Sequence, residues 1–122
     1  MIRILFVDDD PEILAAFQRA FRRDRARWEV VIALGGRAAI EELRSGTFDV
    51  VVSDIRMPEI DGLSVLRFAR EHSPHTVRIV LSGSEEISSL AGASLVHALL
   101  VKPCAISLLR ATIERSSPSF AG

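Results

Sequence analysis

A chain of 122 residues, 48% apolar and 25% charged, holds enough material for one packed domain and too little for two. Its formal net charge of −1 excludes a global positive field that would draw it to nucleic acid or an anionic membrane. A single cysteine, Cys104, excludes an internal disulfide, and no apolar run approaches the ~20 residues of a membrane span, so the cytoplasm is the expected compartment.

In chain order, residues 2–7 form the first of five short runs rich in Val, Ile and Leu; the others are 28–34, 48–53, 76–81 and 97–101. None alternates with polar residues, the pattern of strands buried on both faces of a parallel sheet. Asp10-Pro11 then supplies an N-cap and a proline at the first helical position, and Ile13, Leu14, Phe17, Ala20 and Phe21 form one apolar stripe. Arg22, Arg23, Arg25 and Arg27 read as a solvated helix end, with docking of an acidic partner as the alternative. Trp28 reads as cover for a sheet edge.

A second helix is expected from about Gly36 to Arg44, with Ala39, Ile40 and Leu43 inward and Gly46 just past its end. A third, over residues 62–71, buries Leu63, Leu66 and Ala69 or Phe68. Residues 84–94 are the weakest helix candidate, with four serines, Gly92 and only Ile87 and Leu90 as large apolar residues. Near the end, Ala105, Ile106, Leu109 and Ile113 make a further stripe, and Cys104 reads as a small core or helix-start residue. Residues 117–122 read as a tail or the start of a linker. His72, His75 and His97 show no metal-ligand spacing.

Strands alternating with helices argue for a doubly wound α/β sandwich, whose ligands bind beyond the carboxyl ends of the strands. Those ends carry Asp8-Asp9-Asp10, Ser53-Asp54, Ser82-Gly83 and Lys102-Pro103, which therefore meet in one cleft. Carboxylates pressed together repel, and a hard divalent cation such as Mg²⁺ removes the conflict. A carboxylate is also a nucleophile toward phosphorus, giving an aspartyl phosphate. The transferring group needs cations and hydrogen-bond donors, which Lys102, Ser82 and backbone N–H groups supply.

Four stretches in this order, Ile4-Leu5-Phe6-Val7-Asp8-Asp9-Asp10, Val51 through Gly62 (Val-Val-Ser-Asp-Ile-Arg-Met-Pro-Glu-Ile-Asp-Gly), Ile79-Val80-Leu81-Ser82-Gly83 and Leu100-Val101-Lys102-Pro103, resemble the receiver domain of bacterial response regulators. The resemblance covers residues 2 to about 115. It implies a flavodoxin-like, doubly wound, five-stranded parallel sheet of order 2-1-3-4-5 with about five helices, and a domain over residues 1–116. It also implies that Asp54 is the phospho-acceptor, that Asp9 ligates Mg²⁺ directly, and that Asp8 assists through a metal-bound water. The backbone carbonyl of Arg56 becomes a further metal ligand. Lys102 pairs with a phosphoryl oxygen, Pro103 holds its turn at a position that admits a cis bond, and Ser82 moves to the phosphoryl group. The implied donor is a sensor histidine kinase or histidine phosphotransfer protein, and the output a partner or an effector domain in a longer chain. No nucleic acid or membrane is contacted directly, and the only catalysis is the domain's own phosphorylation and dephosphorylation.

The chain departs from the family pattern in two places. Leu99 stands where many receivers carry an aromatic, and Ser82 and Lys102 are only 20 positions apart, the shortening falling in residues 84–94. With no large ring to carry the message, that segment is expected to be the least stable and the most altered by phosphorylation. Taken singly, Asp8 and Asp9 would be a solvated loop, Asp54 a turn residue, Ser82 a turn hydroxyl and Lys102 a surface lysine; their company argues otherwise. A haloacid-dehalogenase-like phosphatase is a rival, but it needs a second acid two positions past the nucleophile, where Arg56 stands. A degenerate receiver acting only as an interaction module would have lost an acid or the lysine, and all are present.

Overall fold

Strands that are apolar on both faces need cover on both sides, and the computed structural model, which describes residues 1–83 and 94–116, supplies it. The elements are β1 (Ile2–Asp8), α1 (Pro11–Ala20), a 3₁₀ turn (Arg22–Asp24), β2 (Trp28–Leu34), α2 (Gly36–Ser45), β3 (Val50–Asp54), α3 (Gly62–His72), β4 (Val77–Ser82), β5 (Ala98–Val101) and α4 (Ile106–Ser116). All strand pairs are parallel, in the order β2-β1-β3-β4-β5, so the expected topology holds. Four α-helices stand among the described residues. The weak helix candidate lies outside them except for Ser94, as does the tail at 117–122.

The alternation along β1 shows why its run is continuous. Ile4 and Phe6 enter one core layer with Leu14, Phe21, Trp28, Leu109 and Ile113, under α1 and α4. Leu5 and Val7 enter the other with Ala39, Leu43, Leu66 and Ala69, under α2 and α3. Phe6 packs between Phe17 and Phe21, ring centroids 4.8 and 5.3 Å away. Trp28, on the edge strand, is buried against Phe21. In α3 the inward residues are Val65, Leu66 and Ala69, while Leu63 and Phe68 are half-exposed, a rotation of the expected stripe. In α4 Leu109 and Ile113 are buried as expected, but Ala105 precedes the helix and is exposed.

β3 and β4 start later than their apolar runs. Phe48, Asp49 and Thr76 make their bonds outside the ladder: the Thr76 hydroxyl donates to the Phe48 carbonyl at 2.7 Å, and Asp49 accepts the Arg3 N–H at 2.8 Å. Asp10 caps α1, its carboxylate accepting the Glu12 N–H at 2.9 Å. Gly46 ends α2 in extended rather than left-handed backbone.

The basic run after α1 is not uniformly solvated. Asp24 is buried and accepts from Arg27 at 2.9 Å and from Arg110 of α4 at 3.1 Å. Arg27 also reaches Glu114 at 2.7 Å and lies over the Trp28 ring. A buried acid needs such partners, and these tie α4 to the turn after α1.

At the opposite edge, His97 closes the β4–β5 ladder: its Nδ1 accepts the Arg78 backbone N–H at 2.9 Å, and its backbone N–H donates to the Arg78 carbonyl at 2.8 Å. His97 is exposed overall, but partial desolvation of its ring against the ladder, then the Arg78 charge, holds the imidazole below its ordinary 6.5. Facing charges are cationic: Arg78 itself, and Arg70 of α3, which acts on Arg78. The folded state thus disfavours the imidazolium, so the stabilisation is complete above pH 6.5, begins to fall below it and is lost as pH drops through the lower folded-state value. Urea midpoints should drop between neutral and mildly acidic pH, and the drop should shrink in His97→Asn. Equal pH dependence in the two proteins would remove His97 from this account.

Candidate functional site

Strand register brings the expected residues into one row. Val7 pairs with Ser53, placing Asp8 beside Asp54; Asp54 pairs with Leu81, and Ser82 pairs with Val101, one step before Lys102. The sheet order reverses between β1 and β3, so the chains leaving Asp8 and Asp54 turn to opposite faces and open a cleft between them.

Carboxylate oxygens of Asp8, Asp9 and Asp54 all lie within 4.8 Å of one another. Asp8 is buried, Asp54 half-buried and Asp9 exposed. Lys102 Nζ sits 3.1 Å from Asp54 Oδ2 and 3.5 Å from Asp8 Oδ2. The Asp10 N–H donates to Asp8 Oδ1 at 3.0 Å, and the Ile55 N–H to Asp54 Oδ1 at 2.8 Å. Ser82 is buried at the end of β4, its carbonyl accepting the Lys102 N–H at 2.8 Å, and the Lys102–Pro103 bond is cis. Arg56 lies in the connection from β3 to α3, with its side chain exposed. Asp10, spent on its cap, stays outside the acid cluster.

Three acids face one lysine, and the electrostatics follow. Burial pushes the Asp8 carboxyl above its usual 3.8; the Asp54 charge adds to this, against the Asp10 N–H and Lys102. Burial pulls Lys102 down, yet the hydrogen bond to Asp54 and the Asp8 charge outweigh it, and the ammonium is held above 10.5. Crowded, partly desolvated carboxylate oxygens with water access at Asp9 match the donor chemistry of a hard divalent cation such as Mg²⁺.

Two supports were not legible in the sequence. Gly62, read there as a helix entry, is the point where α3 crosses the Asp54 backbone: a Cβ would run into the Asp54 carbonyl oxygen. The Gly62 N–H donates to the Ile55 carbonyl at 2.8 Å, and Asp61 caps α3 through the Ser64 N–H at 2.8 Å. Gly62→Ala should therefore destabilise by about 2–3 kcal/mol in urea unfolding, because backbone rather than a side chain must move. Wild-type stability in that variant would show that the loop steps aside freely. Beside Asp9, Arg37 pairs with Glu59 at 2.7 Å, Glu59 taking a left-handed φ of 67°. The pair links the start of α2 to the loop after β3, but both side chains are exposed and the contribution to stability is small.

Fold and site together define a flavodoxin-like α/β domain that gathers three acids and a lysine at its topological switch point. The chain belongs to the response regulator receiver domain family, whose model matches residues 4–114. Among similar proteins, the transcriptional regulatory protein ZraR of Escherichia coli K12 is 32% identical over 120 residues, covering 94% of this chain and 26% of ZraR. The transcriptional regulatory protein PrrA of Mycobacterium tuberculosis is 32% identical over 114 residues, covering 92% of this chain and 48% of PrrA. The chain thus spans between a quarter and a half of these relatives. Among solved structures, the response regulator TrrA of Thermotoga maritima in complex with Mg²⁺-BeF has a TM-score of 0.83 at 28% identity, covering 95% of this chain and 99% of TrrA. A receiver domain protein from Clostridium thermocellum has a TM-score of 0.85 at 26% identity, covering 95% and 94%. No described helix is long and apolar enough to cross a membrane.

Proposed function

We propose that this domain is a Mg²⁺-dependent phosphorylation switch whose acceptor is Asp54. The reading is carried by the convergence of Asp8, Asp9 and Asp54 within 4.8 Å, with Lys102 against Asp54. The structural likeness to TrrA, solved with Mg²⁺-BeF, supports it. Asp8, Asp9, Asp54 and the backbone carbonyl of Arg56 would hold the metal. When bound, Mg²⁺ would offset the crowded negative charge of the carboxylates and of an incoming phosphoryl group.

The donor is a phosphohistidine on a sensor histidine kinase or histidine phosphotransfer protein. A carboxylate oxygen of Asp54 bonds to phosphorus as the P–N bond breaks, and the imidazole nitrogen leaves with the electron pair. Later attack of water on phosphorus restores the carboxylate and releases inorganic phosphate. Lys102, kept protonated by its acids, pairs with a phosphoryl oxygen, and the Ser82 hydroxyl moves to the group and reports it. This chemistry on itself is the domain's only catalysis. The switch works in the cytoplasm and controls a partner or an effector domain; the relatives named as transcriptional regulators support such an output.

Acetyl phosphate with and without Mg²⁺ tests the reading by intact-mass spectrometry. One phosphoryl adduct should form with Mg²⁺ only and disappear on hydroxylamine treatment. A folded protein that takes no phosphoryl group under either condition would instead be an interaction module.

A further inference from the structure

Residues 19–25 hold four arginines and a single acid, Asp24, which is buried and taken by Arg27 and Arg110. Arg19, Arg22, Arg23 and Arg25 are left exposed, with no carboxylate partner among the described residues. Arg25 reaches only the Arg22 carbonyl, at 3.3 Å. A helix C-terminus gains from one or two basic residues, but four unneutralised guanidinium groups in a chain of net charge −1 exceed that need.

The patch borders a concavity. A cleft of about 280 Å³ lies between the end of α1 and β2, lined by Gln18, Phe21, Arg22, Arg25, Trp28 and Val30. Among the described residues β2 is an edge strand, bonded to β1 alone. The Trp28 indole N–H is buried without an acceptor among the described residues, in a residue 2% exposed. The floor is rigid, because Asp24, Arg27, Arg110 and Glu114 tie the turn to α4.

We propose that this cleft docks an acidic, extended peptide segment of a partner protein, its carboxylates against Arg22 and Arg25 and an apolar side chain on the cleft floor. Charge complementarity selects the occupant: planar guanidinium groups bind carboxylates in bidentate fashion. The exposed edge of β2 suits an extended backbone. A nucleic acid fits less well, because the patch is one helix end wide and Glu114 lies at its side, bound to the Arg27 that stacks on Trp28.

Trp28 is the only tryptophan of the chain and lines the cleft, so it reports occupancy. The full chain is titrated with a short Glu-rich peptide carrying single leucines, its Gln counterpart and short duplex DNA, by fluorescence and calorimetry in parallel. The Glu peptide should bind saturably, and raising the salt from ~50 to ~200 mM should weaken it about tenfold, as for screened exposed charges. Arg22→Gln/Arg25→Gln should lose at least about tenfold with an unchanged thermal midpoint; Arg25→Gln alone gives the same comparison should the pair melt early. No saturable binding, equal binding of the Gln peptide, wild-type affinity in these variants, or tighter arginine-dependent binding of the DNA would each overturn the proposal.

Discussion

Asp54→Ala should abolish phosphorylation by acetyl phosphate while leaving the domain folded. The carboxylate makes two contacts of note, accepting from the Ile55 N–H at 2.8 Å and facing Lys102 at 3.1 Å. On its removal Lys102 keeps Asp8 at 3.5 Å, and the Ile55 N–H, in a half-buried loop residue, exchanges its carboxylate acceptor for water. The stability change should stay near the ~1 kcal/mol of one hydrogen bond. Phosphorylation, by contrast, loses its nucleophile outright. Asp8 is buried and already held by the Asp10 N–H, and Asp9 lacks the lysine that faces Asp54. Intact mass with and without Mg²⁺ reads the outcome. An adduct persisting in Asp54→Ala would move the acceptor elsewhere.

Asp9→Ala and Asp10→Ala should separate two adjacent acids that composition cannot distinguish. Asp9 is the exposed member of the acid cluster, with its oxygens open to a cation and its water. Removing a direct ligand from a site with few protein ligands should weaken Mg²⁺ binding by about 100-fold. Asp10 is committed to the Glu12 N–H at the start of α1. Asp10→Ala should therefore cost ~1 kcal/mol of stability and leave metal affinity nearly unchanged. Calorimetric Mg²⁺ titration and urea unfolding read the two effects separately. Equal metal losses in both variants would show that the ligand assignment is one residue out.

The capping role of Asp10 is legible in the sequence, because it rests on local rules. Proline at position 11 makes Asp10 a cap, which leaves Asp8 and Asp9 for the strand end. The same locality made the five strands readable: a strand buried on both faces is apolar at nearly every position. Parallel order then follows from strand–helix alternation, and the acids and Lys102 close their strands at the one end where such sheets bind ligands. By itself, then, the sequence determined the fold class, the strand order through its motifs, and the membership of the acid–lysine cleft.

What only the tertiary structure decided are matters of partnership across distance. Arg25 and Arg27 look alike in the sequence, yet one is exposed and the other is bound between Asp24 and Glu114. The difference arises because α4 packs beside the turn after α1, a pairing no local pattern encodes. His97 looked like a bare strand start until the β4–β5 register set its ring against the Arg78 N–H. Gly62 looked like a helix entry until α3 was seen to cross the Asp54 carbonyl. Propensity and periodicity act over a few neighbouring residues. Burial of a charge, the acceptor for a ring nitrogen and the room for a Cβ depend on which remote segment is packed alongside, and only the folded chain supplies that.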